Sequence, residues 1–161
     1  FIRGKGLTLF KRDTTGKIKI YRQMINHSMP ATAVSDADNY EIRKLLQHLD
    51  NQNLSVDDYL SVYADENLDI MPPGKLRVTS KEDFKVNLTI ERKTGRITIR
   101  HGFHSIENHG SAILVSGGST GIYFPKGSTD QYPFSTKNYM QLKQRDGRLE
   151  IVGLIWNSSS Q

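Results

Sequence analysis

The chain has 161 residues, a net charge of +5 and a pI near 9.4, with 36% hydrophobic and 24% charged residues. This composition is typical of a globular domain with one core, and no stretch approaches the roughly 18 apolar residues that a membrane-spanning helix needs. The chain has no cysteine, which excludes disulfides, thiolate metal sites and cysteine nucleophiles.

The domain organisation expected from this length is a single domain over residues 1–161. The first residue is Phe1 and not methionine, which is consistent with a processed chain, a fragment or a module of a larger protein. Because the sequence lacks cysteine and shows no signal peptide, it predicts a cytoplasmic protein.

The first predicted element is a β-hairpin. The segment GLTLFKRDTTGKIKIYRQMI has alternating runs on both sides of residues 14–16. A period of two predicts strands, and the glycine supplies the positive φ that the turn needs. Ile18 and Ile20 are then expected on one face, with Lys17 and Lys19 on the other.

A pair of helices is predicted next, over residues 36–66. The segment DNYEIRKLLQHLD repeats apolar residues at helical spacing, and Ser35 or Asp36 is a suitable N-cap. Ser55 is a second N-cap, ahead of the helical pattern in VDDYLSVYADE. The two prolines of IMPPGK end this region, since proline cannot continue a helix.

Beyond residue 76 the sequence predicts only strands. We interpret FKVNLTIERKTGRITIRHGF as a hairpin that turns at residues 93–95, and NYMQLKQRDGRLEIVGLIW as one that turns at residues 146–147. The segment SAILVSGGSTGIYFPKGS is interpreted as two strands joined by a glycine-rich loop. The predicted fold class is α+β, with a mostly antiparallel, curled or barrel-like sheet built from hairpins and the helical pair inserted after the first hairpin.

The leading functional hypothesis rests on the basic residues of these hairpins. If the hairpins share one sheet, their cations form one surface that binds phosphates through charge and counterion release. We therefore predict a nucleic-acid-binding domain, with duplex DNA favoured over RNA, no membrane partner and no cofactor. The residues expected to contact nucleic acid are Lys17, Lys19, Arg92, Lys93, Arg96, Arg100, His101, Lys126, Lys137 and Arg148.

The first alternative is a small, metal-free nuclease of the ribonuclease-toxin kind. The segment RHGFHSIENHG contains three of the five histidines, at a spacing that matches no standard metal site. His101 and His104 would act as general base and acid, and Lys126 would stabilise the charged transition state. Ser119 or Thr120 would donate a hydrogen bond.

The second alternative is a metal-dependent nuclease. The segment NLTIERK ends in Glu91-x-Lys93, which is similar to the carboxylate–lysine pattern of restriction-type nucleases. Asp69 would supply the upstream carboxylate and Glu41 a helical one. Only in this alternative is Mg²⁺ expected, held by the carboxylates while Lys93 assists the attacking water.

The third hypothesis concerns the acidic charge of the two predicted helices. Residues 36–66 contain many carboxylates, whereas the basic residues concentrate elsewhere. This asymmetry is consistent with a protein-interaction domain that docks a partner through the helices, with Asp57 and Asp58 in the contact.

Overall fold

The computed structural model describes residues 3–12, 14–28, 36–110 and 112–158. For residues 3–12, 18–28 and 37 only the backbone is described. The chain divides into two compact units, Phe1–Thr32 and Ala33–Gln161. The single domain expected over residues 1–161 stays a prediction.

The first unit contains an antiparallel hairpin. Strand β1 (Arg3–Arg12) pairs with strand β2 (Ile18–Ser28). Gly16, in the turn, has a φ of 81°, which is the left-handed conformation that glycine adopts without strain. The predicted first hairpin is therefore confirmed, while the predicted directions of its strand side chains lie outside what is described.

The second unit packs helices against a five-stranded sheet. Its elements are α1 (Asp36–Asp50), α2 (Val56–Leu60), β3 (Asp69–Met71), α3 (Lys81–Thr94), β4 (Gly95–Asn108), β5 (Ile113–Pro125), β6 (Tyr132–Arg145) and β7 (Arg148–Ser158). The strands lie in the order β3-β7-β6-β5-β4, and all neighbours are antiparallel except β3 and β7. The predicted α+β class with a mostly antiparallel sheet is confirmed, and this sheet is open and does not close into a barrel.

Helices α1 and α2 form at the predicted place. The apolar face of α1 is buried, and its buried residues are Ile42, Leu45, Leu46 and Leu49. Ser55 caps α2, since its Oγ accepts a hydrogen bond from the N–H of Asp58 at 3.0 Å. Helix α2 ends at Leu60, earlier than predicted, and Ser35 lies outside the described residues.

Helix α3 stands where the sequence was interpreted as the first strand of a hairpin. Ser80 caps it, because its Oγ accepts a hydrogen bond from the N–H of Asp83 at 3.1 Å and donates one to the same residue's carboxylate at 2.7 Å. The apolar residues of FKVNLTI alternate, so in a strand they would share one face. In the helix they do not: Phe84 is 7% exposed, whereas Val86 and Ile90 are 52% and 55% exposed. The strand prediction for this segment is wrong.

The KTGR segment consequently lies at the junction of α3 and β4 and not in a hairpin turn. Gly95 has a φ of 175°, which is extended backbone. The predicted turn between β6 and β7 does form, with φ values of 49° at Asp146 and 76° at Gly147. A glycine followed by a basic residue therefore marks a turn in some places and a helix end in another.

Strand β5 runs without a break through the segment that was predicted to be a glycine-rich loop. A Cβ on Gly117 would lie 2.0 Å from the carbonyl oxygen of Gly102, and one on Gly121 would lie 2.1 Å from that of Thr98. These glycines let the neighbouring backbone approach closely, so they serve the packing of the sheet. The loop interpretation is wrong.

The core of the second unit lies between the helices and one face of the sheet, which we call the inner face. Tyr63, just after α2, meets Phe84 of α3 edge to face, with 5.1 Å between the ring centroids. The sheet contributes Val115, Met140, Leu142 and Ile151, all at most 1% exposed. None of the helices in the described ranges is long and apolar enough to cross a membrane.

Candidate active site

A cavity of about 310 Å³ lies between the helices and the inner face of the sheet. Its volume is at the lower end of the roughly 300–1,000 Å³ that is typical of small-molecule sites. Most of its wall is apolar, and the apolar residues include Leu49, Val78, Phe84, Leu88, Ile97, Ile99, Phe134, Met140, Leu154 and Trp156. The size and the walls suit a small, largely apolar molecule.

A row of polar side chains crosses the inner face at this cavity. His101 of β4 lies directly opposite Ser119 of β5, which lies opposite Thr136 of β6, which in turn lies opposite Ser158 of β7. Residues paired in this way project from the same face of a sheet, and all four line the cavity. The hydroxyl groups of Ser119 and Thr136 hydrogen-bond to each other at 2.6 Å.

His101 is held by Asp50, the last residue of α1. One carboxylate oxygen of Asp50 accepts hydrogen bonds from the backbone N–H of His101 at 2.8 Å and from its Nδ1 at 2.7 Å. Because a carboxylate can only accept, Nδ1 carries a proton and the lone pair of the neutral ring lies on Nε2. Nε2 has no hydrogen bond to any described residue, so the ring is arranged as a general base.

Two tyrosines line the helical side of the cavity: Tyr63, which is buried, and Tyr59, which is partly buried. Burial raises the pKa of Tyr59 above its ordinary value of 10.0, against the opposing effect of hydrogen bonds with Tyr63 and Gln52 and of the charge of Arg92. Burial also raises the pKa of Tyr63 well above 10.0, with Tyr59 adding to the effect. Both phenols therefore keep their protons at neutral pH. Tyr63 donates its proton to the oxygen of Tyr59, so Tyr59 is the phenol that can donate a hydrogen bond inside the cavity.

Asn138 of β6 also lines the cavity, one row away from His101 and Thr136. It is 7% exposed, and its Oδ1 is buried without a hydrogen-bond partner among the described residues. Most buried polar groups in proteins are hydrogen-bonded, so an orphaned acceptor in a cavity wall is a candidate contact for a ligand.

An ion pair marks the solvent-facing side of the cavity. The Nζ of Lys75 bonds to the carboxylate of Glu91, and both residues line the cavity. Their side chains are 55% and 53% exposed, so they are in contact with water. The cavity therefore has a polar edge and an apolar interior.

The structure separates the residues proposed for metal-free nuclease chemistry. His101 and Ser119 line the cavity side by side, but His104 is exposed beside a bulge of β4, and Thr120 is exposed on the outer face of the sheet. Lys126 is exposed in the turn that follows β5. The predicted acid and cation are thus not brought to the predicted base.

The residues proposed for metal-dependent chemistry are also not grouped into a site, since two of them form ion pairs with other residues and two are exposed on different helices. Asp69 forms a two-point ion pair with Arg77 at 2.6 and 2.8 Å, and Glu91 pairs with Lys75. Lys93 is exposed in the last turn of α3, and Glu41 is exposed on α1. Within the described ranges, no three side chains of His, Asp or Glu are grouped to hold a metal ion.

The predicted nucleic-acid-binding cations of the second unit fall into two groups, one on the outer face of the sheet and one at the ends of elements or in turns. By strand alternation Arg96, Arg100 and Lys137 project from the outer face, away from His101, and Arg96 stacks on Phe124 with 3.7 Å to the ring centroid. The other predicted cations of this unit lie at the ends of elements or in a turn: Arg92 and Lys93 in the last turn of α3, Lys126 in the turn after β5, and Arg148 at the start of β7. Lys17 and Lys19 belong to the first unit, and the Lys19 side chain is outside the description.

Comparison with known proteins decides the fold. No family model and no curated protein matches the sequence. A solved NTF2-like protein from Pseudomonas putida superposes with a TM-score of 0.63 at 14% identity, over 80% of this chain and 92% of its own. The chain has an NTF2-like fold.

Two further structures with this NTF2-like fold carry functional names. A ketosteroid isomerase-like protein from Erwinia carotovora gives a TM-score of 0.66 at 12% identity, over 76% of this chain and 94% of its own. The hexachlorocyclohexane dehydrochlorinase LinA-type3 from Novosphingobium barchaimii gives 0.62 at 10% identity, over 77% and 88%. At these identities the likeness shows the fold alone.

The NTF2-like fold and its cavity overturn the functional hypotheses drawn from the sequence. Two of these structures are named for the chemistry of small molecules and none of the three for nucleic acids, and the predicted basic residues are divided between the faces of the sheet and the ends of elements. The predictions of a DNA-binding domain, a nuclease or toxin, and an acidic-helix interaction domain, with nucleic acid as partner, are wrong. These predictions were based on the charge of the sequence, which does not show the cavity on the inner face of the sheet.

Sequence reasoning missed Asp50 and Asn138 as candidate site residues. Asn138 shares its strand face with Met140 and Leu142, so a polar residue on an apolar face was a usable signal. Asp50 gave no signal of its own, because its contact with His101 joins residues 51 positions apart and depends on the packing of α1 on β4.

Proposed function

We propose that the second unit is an enzyme that removes a proton from a carbon atom of a small, largely apolar molecule. The observation that carries this proposal is His101 in the wall of an apolar cavity, with its Nδ1 held by Asp50. This class of reactions includes the isomerisation of unsaturated ketones and the elimination of a proton and a leaving group from adjacent carbon atoms. Both begin with a base beside an acidic C–H bond.

His101, Asp50, a tyrosine and the apolar wall each have a role in such a reaction. His101 takes the proton on Nε2, and Asp50 keeps the ring in the correct tautomer and stabilises the imidazolium that results. Tyr59, which accepts a hydrogen bond from Tyr63, donates one to the oxygen on which negative charge develops. The apolar wall keeps water out, which strengthens these electrostatic interactions.

The names of two similar structures support this reaction class. Isomerase and dehydrochlorinase both describe the rearrangement or loss of atoms on a carbon skeleton, and neither name implies a nucleic acid. The expectations that no cofactor is needed and that the protein is cytoplasmic stay predictions. The first is checked by dialysis against EDTA, after which the activity should be unchanged.

The test is the exchange of carbon-bound hydrogen for deuterium in β-tetralone, a two-ring ketone, followed by NMR in D₂O. We expect the wild type to accelerate exchange beside the carbonyl. In His101→Gln the acceleration should fall by about 10²–10⁴-fold, the usual contribution of a general base.

The matched control is His104→Gln, because His104 is a histidine of the same strand that is exposed outside the cavity. It should keep the wild-type rate. Exchange by the wild type at the rate of buffer alone would contradict the proposal. An undiminished rate in His101→Gln would contradict the role of His101.

A further inference from the structure

The environment of Asn138 leaves its side-chain oxygen without a donor inside the fold. Asn138 lies between Gly117 on β5 and Trp156 on β7 in the sheet register. Gly117 has no side chain, and the indole N–H of Trp156 does not reach Oδ1, which has no hydrogen-bond partner in the described chain. Asn138 is nevertheless buried, with only 7% of the residue exposed, and it lines the cavity.

An unpartnered buried acceptor is costly, and the surrounding residues show how the fold satisfies the others. Ser119, 5% exposed and in the same cavity wall, pairs its hydroxyl with that of Thr136 at 2.6 Å. A leucine at position 138 would continue the apolar side formed by Met140 and Leu142 without any such cost. The asparagine is therefore better explained by what enters the cavity than by the packing of the strand.

The position of Asn138 relative to His101 sets a distance on the ligand. Thr136 is the β6 residue in the same row as His101, and Asn138 is the next residue along on the same face. Strands β4 and β6 are two strand spacings apart, roughly 10 Å, and Asn138 lies two residues beyond Thr136 along β6, roughly 7 Å. Both side chains project into one cavity, so a ligand that touches both spans about one or two rings.

We propose that Asn138 selects ligands that carry a hydroxyl or N–H group, so that the substrate is an apolar ring compound with a hydrogen-bond donor about one ring away from the reacting carbon. This inference rests on the proposed function for the identity of the reacting carbon. The selection itself depends only on the cavity and on Oδ1.

The chemistry of Oδ1 fixes the polarity of the selected group. An amide oxygen can only accept, so Oδ1 favours a donor on the ligand and disfavours a carbonyl, ether or halogen in direct contact with it. The contribution of the N–H group of the same side chain is tested separately by Asn138→Asp. Sites that hydrogen-bond a ligand group discriminate strongly against the analogue that lacks it, because their own polar atom is then left unpaired. Asn138 is accordingly a specificity residue and not a catalytic one.

The test compares two ligands of similar shape, para-cresol and para-fluorotoluene, which differ in a hydroxyl donor against a fluorine. Trp156 is the only tryptophan of the chain and lines the cavity, so its fluorescence reports binding directly. We expect the wild type to bind para-cresol about 10-fold more tightly, the equivalent of one net hydrogen bond.

Two variants separate Asn138 from the other acceptors of the cavity wall, such as Nε2 of His101 and the hydroxyl groups of Ser119 and Thr136. Asn138→Leu should abolish the preference and bind para-fluorotoluene at least as tightly as the wild type does. Asn138→Asp keeps an acceptor at this position without the amide N–H, and it should retain the preference for para-cresol. Circular dichroism of both variants establishes that they are folded.

The inference is overturned if the wild type binds the two ligands equally or binds neither, or if Asn138→Leu keeps the preference. A kept preference in that variant would assign the donor contact to another acceptor of the cavity wall, such as Nε2 of His101. These outcomes are independent of the proposed function, since they concern binding and not exchange. A wild type that shows the preference but no deuterium exchange refutes the proposed reaction alone, and one that exchanges without the preference refutes the role of Asn138 alone.

Discussion

A single carboxylate oxygen of Asp50 holds both the backbone N–H and the Nδ1 of His101, at 2.8 and 2.7 Å. The contact joins the last residue of α1 to the middle of β4, so it fixes the position of the strand and the orientation of the ring together. The His101 side chain is 12% exposed and that of Asp50 is 27% exposed, which keeps the pair mostly out of water. A partly buried, charge-assisted hydrogen bond of this kind is stronger than a surface ion pair.

Replacing Asp50 by asparagine should lower the exchange activity by at least about 10-fold, though by less than the loss of His101 itself. The amide still accepts the backbone N–H, but it no longer imposes a proton on Nδ1 or stabilises the imidazolium. Asp50 acts through His101, so the decisive measurements are the pH profile of the rate and the tautomer of His101 by nitrogen-15 NMR.

The matched control for this prediction is Glu41→Gln, since Glu41 is an exposed carboxylate on the same helix. Its rate, pH profile and His101 tautomer should be those of the wild type. If Asp50→Asn lowers the rate but leaves the profile and the tautomer unchanged, the contact is structural and does not position the base.

The sequence predicted those parts of the fold in which local chemistry and tertiary packing agree. The Asp146-Gly147 turn and the Ser55 cap both depend on residues within a few positions of each other, and both are found. The segment after Ser80 failed because two local signals conflict there. An apolar alternation favoured a strand, and the capping by Ser80 favoured a helix, which prevailed once Phe84 could pack on Tyr63.

The candidate site was predicted only in fragments, because a cavity is a property of packing. The sequence singled out His101 and Ser119 as a possible base and donor, and they lie opposite each other on the inner face. It could not show that Asp50 reaches His101 or that Arg96 and Arg100 point the other way. Strand alternation gives that last separation once the register is known, and a one-residue slip would reverse it.

The helical conformation of residues 81–94 leads to a stability prediction. Phe84→Ala should lower the free energy of unfolding by about 3–5 kcal/mol, because it empties a buried site against Tyr63. Ile90→Ala removes a residue that is 55% exposed and should cost less than about 1 kcal/mol. Urea unfolding followed by Trp156 fluorescence measures both. Equal losses would mean that the two residues share a buried face, as they would in a strand.

The buried tyrosines lead to a prediction about alkaline pH. The pKa of Tyr63 in the folded protein is well above its ordinary value of 10.0. As the pH rises past about 10, the unfolded chain therefore loses this proton first and binds fewer protons than the native state, so the free energy of unfolding falls. The loss is at most about 1.4 kcal/mol per pH unit for each such tyrosine.

The measurement is urea unfolding at several pH values below and above about pH 10, the ordinary tyrosine pKa. Tyr63→Phe should unfold with a shallower dependence on alkaline pH than the wild type. Tyr132→Phe is the control, because Tyr132 is 53% exposed, and its pH dependence should match that of the wild type. A Tyr63→Phe curve parallel to the wild-type curve would show that the phenol ionises equally in both states.

The glycines of β4 and β5 supply a matched pair that tests the continuity of the sheet. A Cβ on Gly121 would lie 2.1 Å from the carbonyl oxygen of Thr98 and 2.6 Å from the ring of Phe134, whereas a Cβ on Gly102 meets nothing within 4 Å. Gly121→Ala should therefore destabilise the protein by about 1–3 kcal/mol, because backbone of the next strand must move.

Gly102→Ala should be neutral or stabilising by up to about 1 kcal/mol, because alanine restricts the unfolded chain more than glycine does. If the segment around Gly121 were a flexible glycine-rich loop, Gly121→Ala would be tolerated as well, and the unfolding midpoints of the two variants would coincide. The difference between the midpoints thus measures how closely β4 approaches β5. Because Phe134 also lines the cavity, the rate of deuterium exchange in Gly121→Ala should fall along with its stability, whereas Gly102→Ala should keep the wild-type rate.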